Sequence, residues 1–488
     1  MIETVSDLDK VVKAVLFRNM EMSERISLLE NEKAFLEAEK SSLVAANTSL
    51  ESEKASLEKE NKELRAQLSR LESPEKDSHN SSIPPSKESL KAQEIRRTRS
   101  LRKPTGRPSG GQPGHIGTTL LMKENADYIK CHIPEYCSCC GKPLADIPGE
   151  EVETRQSIDV PLPICPIVTN HIVVKKICTC GKSNSGSFPS YVKSGVSYGV
   201  NIHALVTYLS VVQDIPFKRL VGTLKEIYGI ELSQGSVSNI LNRMRKQSDS
   251  GYEAIRQEIE NSFVAGADET GVHIKGKLHW MWVFQNMVLT YIFHDDSRGK
   301  TAIDKHFING LLNCILTTDR HSSYFNMETA GHQLCLIHIL RELVYLGELD
   351  KEQEWSASMM NLLYDSIEQR KTKTIREIDI GEIKKRFDLL IKQDLSSLNK
   401  KFESLRKSLE KHSEHVFKFL ELDYVSYENN ASERNCRVLK VKQKVSGMFK
   451  SENGAKAFCQ LYSIVDTARK NKQDPFLALI AVAQNITN

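Results

Sequence analysis

Leucine returns every seventh residue at Leu29, Leu36, Leu43, Leu50, Leu57, Leu64 and Leu71. Seven in register exceed the three or four heptads that argue for a coiled coil, and residues 1–73 are expected to form one. With these leucines at d, the a positions read Ile26, Lys33, Lys40, Asn47, Lys54, Asn61 and Leu68. Polar a residues weaken the seam but restrict register and oligomeric state. The flanks are mostly glutamate, as at Glu30, Glu32, Glu37 and Glu39. A parallel homodimer would set Glu against Glu, relieved only in part by the a-site lysines. A basic helix from another protein is the alternative partner, and a solvated single helix is the plainer reading.

The apolar period then stops. Residues 74–118 read as a polar, disordered linker with prolines, ending in "RRTRSLRKPTGRPSGGQPGHIG". Residues 95–107 hold Arg96, Arg97, Arg99, Arg102, Lys103 and Arg107 and no acid. A flexible basic strand of this kind can follow a phosphate backbone, and Gly106–Pro108 has the shape of an AT-hook tip. A solvated linker that happens to be basic is the bland alternative.

Residues 119–190 read as strand-rich with paired cysteines, Cys137-x-x-Cys140 and Cys178-x-Cys180. Each pair ends in Cys-Gly, the tight knuckle that lets backbone amides turn toward thiolates. The pairs predict a zinc-ribbon-like module with structural Zn²⁺, although the second pair is one residue short and Cys131 and Cys139 are spare candidates. Small buried thiols are the plain alternative. Residues 191–255 read as helical, with two helices broken at Gly229 and Ser233 as the second N-cap. Leu220, Leu224 and Ile227 form one apolar face, and Val237, Ile240, Leu241 and Met244 the other. This is a helix-turn-helix-like outline, with Gln234, Ser236, Ser238 and Asn239 where base edges are usually read. Helical hairpins that merely pack look the same.

Residues 256–345 alternate apolar strands with a short helix. "SFVAGADETGVHI" carries Asp268, and "CILTTDRHSSY" ends its strand in Asp319. Strand–strand–strand–helix–strand with acids on the first and fourth strands is the order of a ribonuclease-H-like domain. There the two strands are neighbours, which brings Asp268 and Asp319 together. Glu433, entering the basic helix "SERNCRVLKVKQKV", is the expected third acid, with Asn430 or Ser432 as the helix cap. Asp295 and Asp296 read as structural. Residues 346–420 are charged and helical with few strong apolar faces, and residues 421–488 return to a basic helix and a final apolar helix. Two carboxylates about 4 Å apart repel by roughly 4 kcal/mol at an effective dielectric near 20. Three converging acids therefore call for protonation or cations, and hard oxygen donors suit Mg²⁺ or Mn²⁺.

Bulk numbers change this picture little. The 488 residues exceed one core. A net charge of +4 argues for no partner by itself. Eleven cysteines without an export signal favour reduced thiols or metal ligands in a cytoplasm over disulfides. No stretch approaches the roughly 18 apolar residues of a membrane span.

Seven segments carry a resemblance: "GGQPGHIG", "ADETGV", "KLHWMWV", "TDRHSSYF", "CLIHILREL", "YENNASERNCR" and "KVKQKVSGMFKSENGAKAF". Together they resemble the insertion sequence 66 family of transposases. The leucine-zipper-like start and the cysteine knuckles also resemble that family's layout. The resemblance implies a DDE transposase of a prokaryotic mobile element, cytoplasmic and nucleoid-associated, with catalytic and metal-binding acids at Asp268, Asp319 and Glu433 and with residues 346–420 as a helical insertion before the second part of the core at 421–488. It implies cleavage at terminal inverted repeats and strand transfer into target DNA. Cys335-x-x-His338 resembles a motif near the second acid of other cut-and-paste transposases, so His338 and Arg341 are candidate DNA contacts. A buried helix with a satisfied histidine is the alternative.

The expectation is a multidomain α/β DNA transposase using Mg²⁺-dependent hydrolysis and then transesterification. Double-stranded DNA is the partner, with homo-oligomers through the coiled coil and accessory proteins of the same element. Residues 96–107, the helical hairpin, and Arg434, Arg437, Lys440, Lys442 and Lys444 would hold phosphates. A stand-alone nuclease using the same acids, or a non-catalytic DNA-binding scaffold, are the rival readings.

Overall fold

A computed structural model describes residues 5–71 and 195–484 throughout, with most of 122–192 and a few residues of 74–114 between them. The chain divides into two compact units. One comprises residues 1–88 and 338–414, the other 89–337 and 415–488.

The first unit opens with one long helix, α1 (Val5–Leu71). Leu29, Leu36, Leu43, Leu50, Leu57 and Leu64 all lie exposed along it. The basic residues 96–107 lie outside the described residues. The stretch expected to be strand-rich holds two described strands of three residues each, β1 (Lys175–Ile177) and β2 (Ser183–Ser185), paired antiparallel. The apolar residues around them do not make a second layer: Ile167, Val168 and Ile172 are more than four-fifths exposed. Without a face to bury, alternation alone does not sustain a longer sheet.

Helix α2 (Val200–Thr207) runs into a π-helical turn at Tyr208–Val212. The predicted hairpin follows as α3 (Phe217–Tyr228) and α4 (Gln234–Gln247). Gly229 ends α3 in the left-handed region at φ 64°, and its N–H reaches Lys225 O at 3.2 Å. Ser233 Oγ accepts from Ser236 N at 3.0 Å and caps α4. Leu220, Leu224, Val237, Ile240, Leu241 and Met244 are buried, as their spacing predicts, but Ile227 in the last turn of α3 is exposed.

Helix α5 (Asp249–Glu260) leads to a five-stranded mixed sheet. Its strands are β3 (Val264–Ile274), β4 (Lys277–Gln285), β5 (Thr290–Asp295), β6 (Leu311–Thr318) and β7 (Thr329–Leu334). Their order is β5-β4-β3-β6-β7. Lys275 and Gly276, both with positive φ, close the β3–β4 hairpin as a primed turn. Strands β3, β4 and β5 pair antiparallel, while β6 and β7 join parallel. The short helices α6 (Lys300–Asp304) and α7 (Ser322–Phe325) lie in the connections to β6 and β7.

Helix α8 (Leu336–Leu349) crosses into the first unit. There α9 (Trp355–Thr372), α10 (Ile380–Ile391) and α11 (Lys400–Lys411) pack together. Their faces are stronger than the charged sequence suggested. Ile383, Phe387 and Ile391 are buried, as are Phe402, Leu405 and Leu409. Spacing of three to four residues makes a continuous stripe even when charges outnumber the apolar side chains.

The second unit closes with α12 (Lys418–Glu421), α13 (Asn430–Ser446), α14 (Glu452–Lys470) and α15 (Pro475–Gln484). Both faces of the sheet are covered. Met281, Val283 and Ile292 pack with α13, α14, α15 and the α2–α4 helices. Trp282, Phe284, Tyr291 and Phe293 point the other way, toward α5 and α6. Among the described residues no helix is long and apolar enough to cross a membrane.

Candidate active site

Strands β3 and β6 run parallel with Val264 opposite Ile315, Ala265 opposite Leu316 and Gly266 opposite Thr317. Asp268 follows two residues after the last registered pair in β3, and Asp319 follows Thr317 by two, just past the end of β6 at Thr318. Side chains alternate along a strand, so Asp268 shares the face of Gly266, Val272 and Ile274. That face is the one α13 covers, and Glu433 lies in the first turn of α13. The three predicted acids thus come from three segments far apart in sequence; Asp268 and Asp319 both act on the Tyr324 phenol, and Asp268 and Glu433 both act on the Cys436 thiol.

Neighbouring groups register their shared charge. The buried Cys436 thiol, one turn after Glu433, is pushed well above its ordinary pKa by burial first. The Asp268 carboxylate, which it hydrogen-bonds, and the charges of Glu269 and Glu433 add to this. The buried Tyr324 phenol is likewise pushed up by burial and then by Glu269, Asp268 and Asp319. Asp268 Oδ1 accepts from Glu269 N at 2.9 Å, and Asp319 Oδ1 accepts from His321 N at 2.9 Å. The Asp319 bond to His321 N makes a turn just past the end of β6. Arg437 Nη2 lies 3.4 Å from Glu433 Oε2, with the arginine 60% exposed and the glutamate 11%.

Sequence reasoning passed over Glu269. Strand alternation turns it to the opposite face, where Arg298 Nη2 lies 2.8 Å away and the Tyr324 hydroxyl donates to it. Arg298 in turn sits 4.5 Å over the Trp280 ring. Glu269 is a neutralised neighbour of the acid cluster. Asp295 is structural, as expected: Lys305 Nζ lies 2.6 Å from it and Ser297 N donates to it at 2.9 Å.

The model of the family described as "Transposase IS66 family" matches residues 195–457, more than half of the chain. The chain belongs to this family. The IS66 match contains Asp268, Asp319 and Glu433, the α3–α4 hairpin and the helices of 338–414. No curated protein matches the chain.

The other predicted contacts of this IS66 chain fall as follows. Arg434, Arg437 and Lys444 are exposed on α13. Lys440 is half-buried, with its ammonium on Gly271 O. Lys442 corrects the expectation that it holds phosphate. It is buried, donates to Ser210 O and lies 5.5 Å from the Phe458 ring, because its position faces the α2 side of α13. Gln234 and Asn239 are exposed on α4, and Ser236 is half-buried. His338 and Arg341 are half-buried on α8.

Cys137 has a knuckle geometry. Amides of Cys140 and Cys139 donate to its thiol and hold its pKa below the ordinary value. Cys137 N bonds Lys142 O at 2.9 Å, and Gly141 takes φ 69°. Cys140 and Cys180 are exposed, and Cys178 lies outside the described residues.

Proposed function

We propose that the chain is a DDE-type DNA transposase with a ribonuclease-H-like catalytic core. It cleaves DNA at insertion-sequence ends and joins the 3′-ends to target DNA. The observation that supports this reading is the parallel pairing of β3, which carries Asp268, with β6, which leads into Asp319, on the sheet face covered by the helix bearing Glu433.

The donor set suits Mg²⁺ or Mn²⁺. Three carboxylates supply hard oxygen ligands. The nearby thiol and phenol are raised first by burial and then by the surrounding acids, Glu269 among them. Bound there, a pair of such ions supplies activation of a water or 3′-hydroxyl and stabilisation of the leaving oxygen. The chain's own residues orient the site. Backbone amides of Glu269 and His321 hold Asp268 and Asp319. Arg434 and Arg437, exposed beside Glu433, bind DNA phosphates. Such contacts position DNA without reading it, so recognition of the ends falls to the N-terminal modules. Gln234, Ser236 and Asn239 on α4 are the candidate base contacts, with Lys440, Lys444, His338, Arg341 and the basic stretch 96–107 on phosphates. Cys137 and Cys140 with Cys178 and Cys180 hold structural Zn²⁺. The exposed leucines of α1 pair as a coiled coil in a homo-oligomer.

Cleavage and strand transfer on terminal-repeat DNA with Mg²⁺ test the reading. Wild type should cut and join, while Asp268→Asn, Asp319→Asn and Glu433→Gln should do neither. Activity retained by any of the three sinks the assignment. Cutting without joining identifies a nuclease instead.

A further inference from the structure

We infer that the Asn429 side chain is the positioning group that ties the strand end bearing Asp268 to the start of the helix bearing Glu433. This rests on the metal-site reading above and deepens it.

Asn429 is 3% exposed and precedes α13. Neither Asn430 nor Ser432 caps that helix, and the Asn429 side chain does not cap it either. It reaches instead across to the sheet. Its Nδ2 donates to Ala267 O at 2.6 Å, the carbonyl immediately before Asp268. Its own carbonyl accepts Glu433 N at 3.2 Å. Its backbone N–H donates to Cys335 Sγ at 3.3 Å, and Cys335 N donates to Thr318 O at 2.8 Å, immediately before Asp319. Each acid's segment is therefore linked to position 429 by one or two hydrogen bonds, of which the one to Ala267 O is made by the side chain.

The amide is itself held. Ser432 Oγ donates to Asn429 Oδ1 at 2.6 Å and accepts from Gln285 Nε2 at 3.3 Å. Lys470 Nζ donates to Gln285 Oε1 at 2.8 Å. The site needs one donor and one acceptor on a short, planar branch, which asparagine supplies. Aspartate would point an oxygen at the Ala267 carbonyl, and glutamine is one methylene too long. Asn430, next along, spends its amide locally on Glu428 Oε2 at 2.6 Å. Two adjacent asparagines thus have different roles.

Groups behind metal ligands commonly change affinity by about 10- to 100-fold when removed. The test is Mn²⁺ binding to the full chain by calorimetry, on samples whose near-UV circular dichroism reports a folded sheet. Asn429→Ala should bind Mn²⁺ at least about tenfold more weakly than wild type, while Asn430→Ala binds it unchanged. Wild-type affinity in folded Asn429→Ala overturns the inference. Should that variant not fold, Ser432→Ala removes only the hydroxyl that orients the amide. Its affinity should drop several-fold, and an unchanged affinity is equally fatal. Asp268→Asn separates the two levels. If it loses Mn²⁺ while Asn429→Ala does not, the positioning role alone fails. If wild type binds no Mn²⁺, or Asp268→Asn binds it as tightly, the metal site fails and the inference with it.

Discussion

Gly266 lies at the centre of the buried polar network, and one methyl group there tests how firmly the network is locked. An added Cβ would stand 2.4 Å from Asn429 Oδ1, 2.9 Å from Ser432 Oγ and 3.0 Å from Gln285 Nε2. All three side chains are buried, so none can swing into solvent. Asn429 must retreat by about an ångström to restore van der Waals contact, which breaks its short bonds to Ala267 and Ser432. Overpacking costs about 1–3 kcal/mol and a buried polar group left without its partner about 1–3 kcal/mol. Lost unfolded-state freedom offsets about 0.4–1 kcal/mol. Gly266→Ala should therefore destabilise the sheet unit by about 1–5 kcal/mol, which lowers the urea midpoint by about 0.5–2 M. Fluorescence of Trp280 and Trp282 in β4 reports this unit when measured in a Trp355→Phe background, since Trp355 lies in the other unit. Gly235→Ala is the matched control, because its Cβ would meet only Ser233 Oγ at 3.5 Å. A Gly266→Ala midpoint equal to wild type, with unchanged slope, refutes the locked network.

Three further outcomes are expected. Ser233→Ala removes the α4 cap and should cost about 1 kcal/mol in thermal or urea unfolding; no loss would show the cap idle. Burial pushes the Lys442 ammonium down to about 8 from 10.5. The unfolded chain then holds a proton that the folded chain releases, so the Lys442 contribution to stability rises with pH between about 8 and 10.5. The difference in unfolding free energy between wild type and Lys442→Met should climb across that window, and a flat difference contradicts the burial. Arg437→Ala should weaken binding of unrelated duplexes alike and lower the slope of log K against log salt by about 1. A loss confined to one sequence would mean that the arginine reads bases.

Local signals carried over well from sequence to structure. Gly229 and Ser233 end and start helices by chemistry that depends only on their neighbours. Asp268 and Asp319 stood out because each interrupts an apolar strand, and strand order alone made those strands neighbours. What stayed hidden depends on partners distant in the chain. The bond from Asn429 to Ala267 spans 162 residues, and nothing in "YENNASERNCR" says which asparagine faces the sheet. Lys442 looks like any lysine of a basic helix until α2 packs over it. The stripes of α10 and α11 were masked by their charged neighbours. In the cysteine stretch, apolar residues such as Ile167 read as strand material although no layer covers them.

The central claim is that Asp268, Asp319 and Glu433 hold divalent cations. Anomalous diffraction at the manganese edge from crystals soaked in Mn²⁺ tests it most directly. The account predicts a peak roughly 2.0–2.5 Å from carboxylate oxygens of all three residues, absent in Asp268→Asn crystals. Mn²⁺ bound elsewhere, with these carboxylates free of metal, would contradict it.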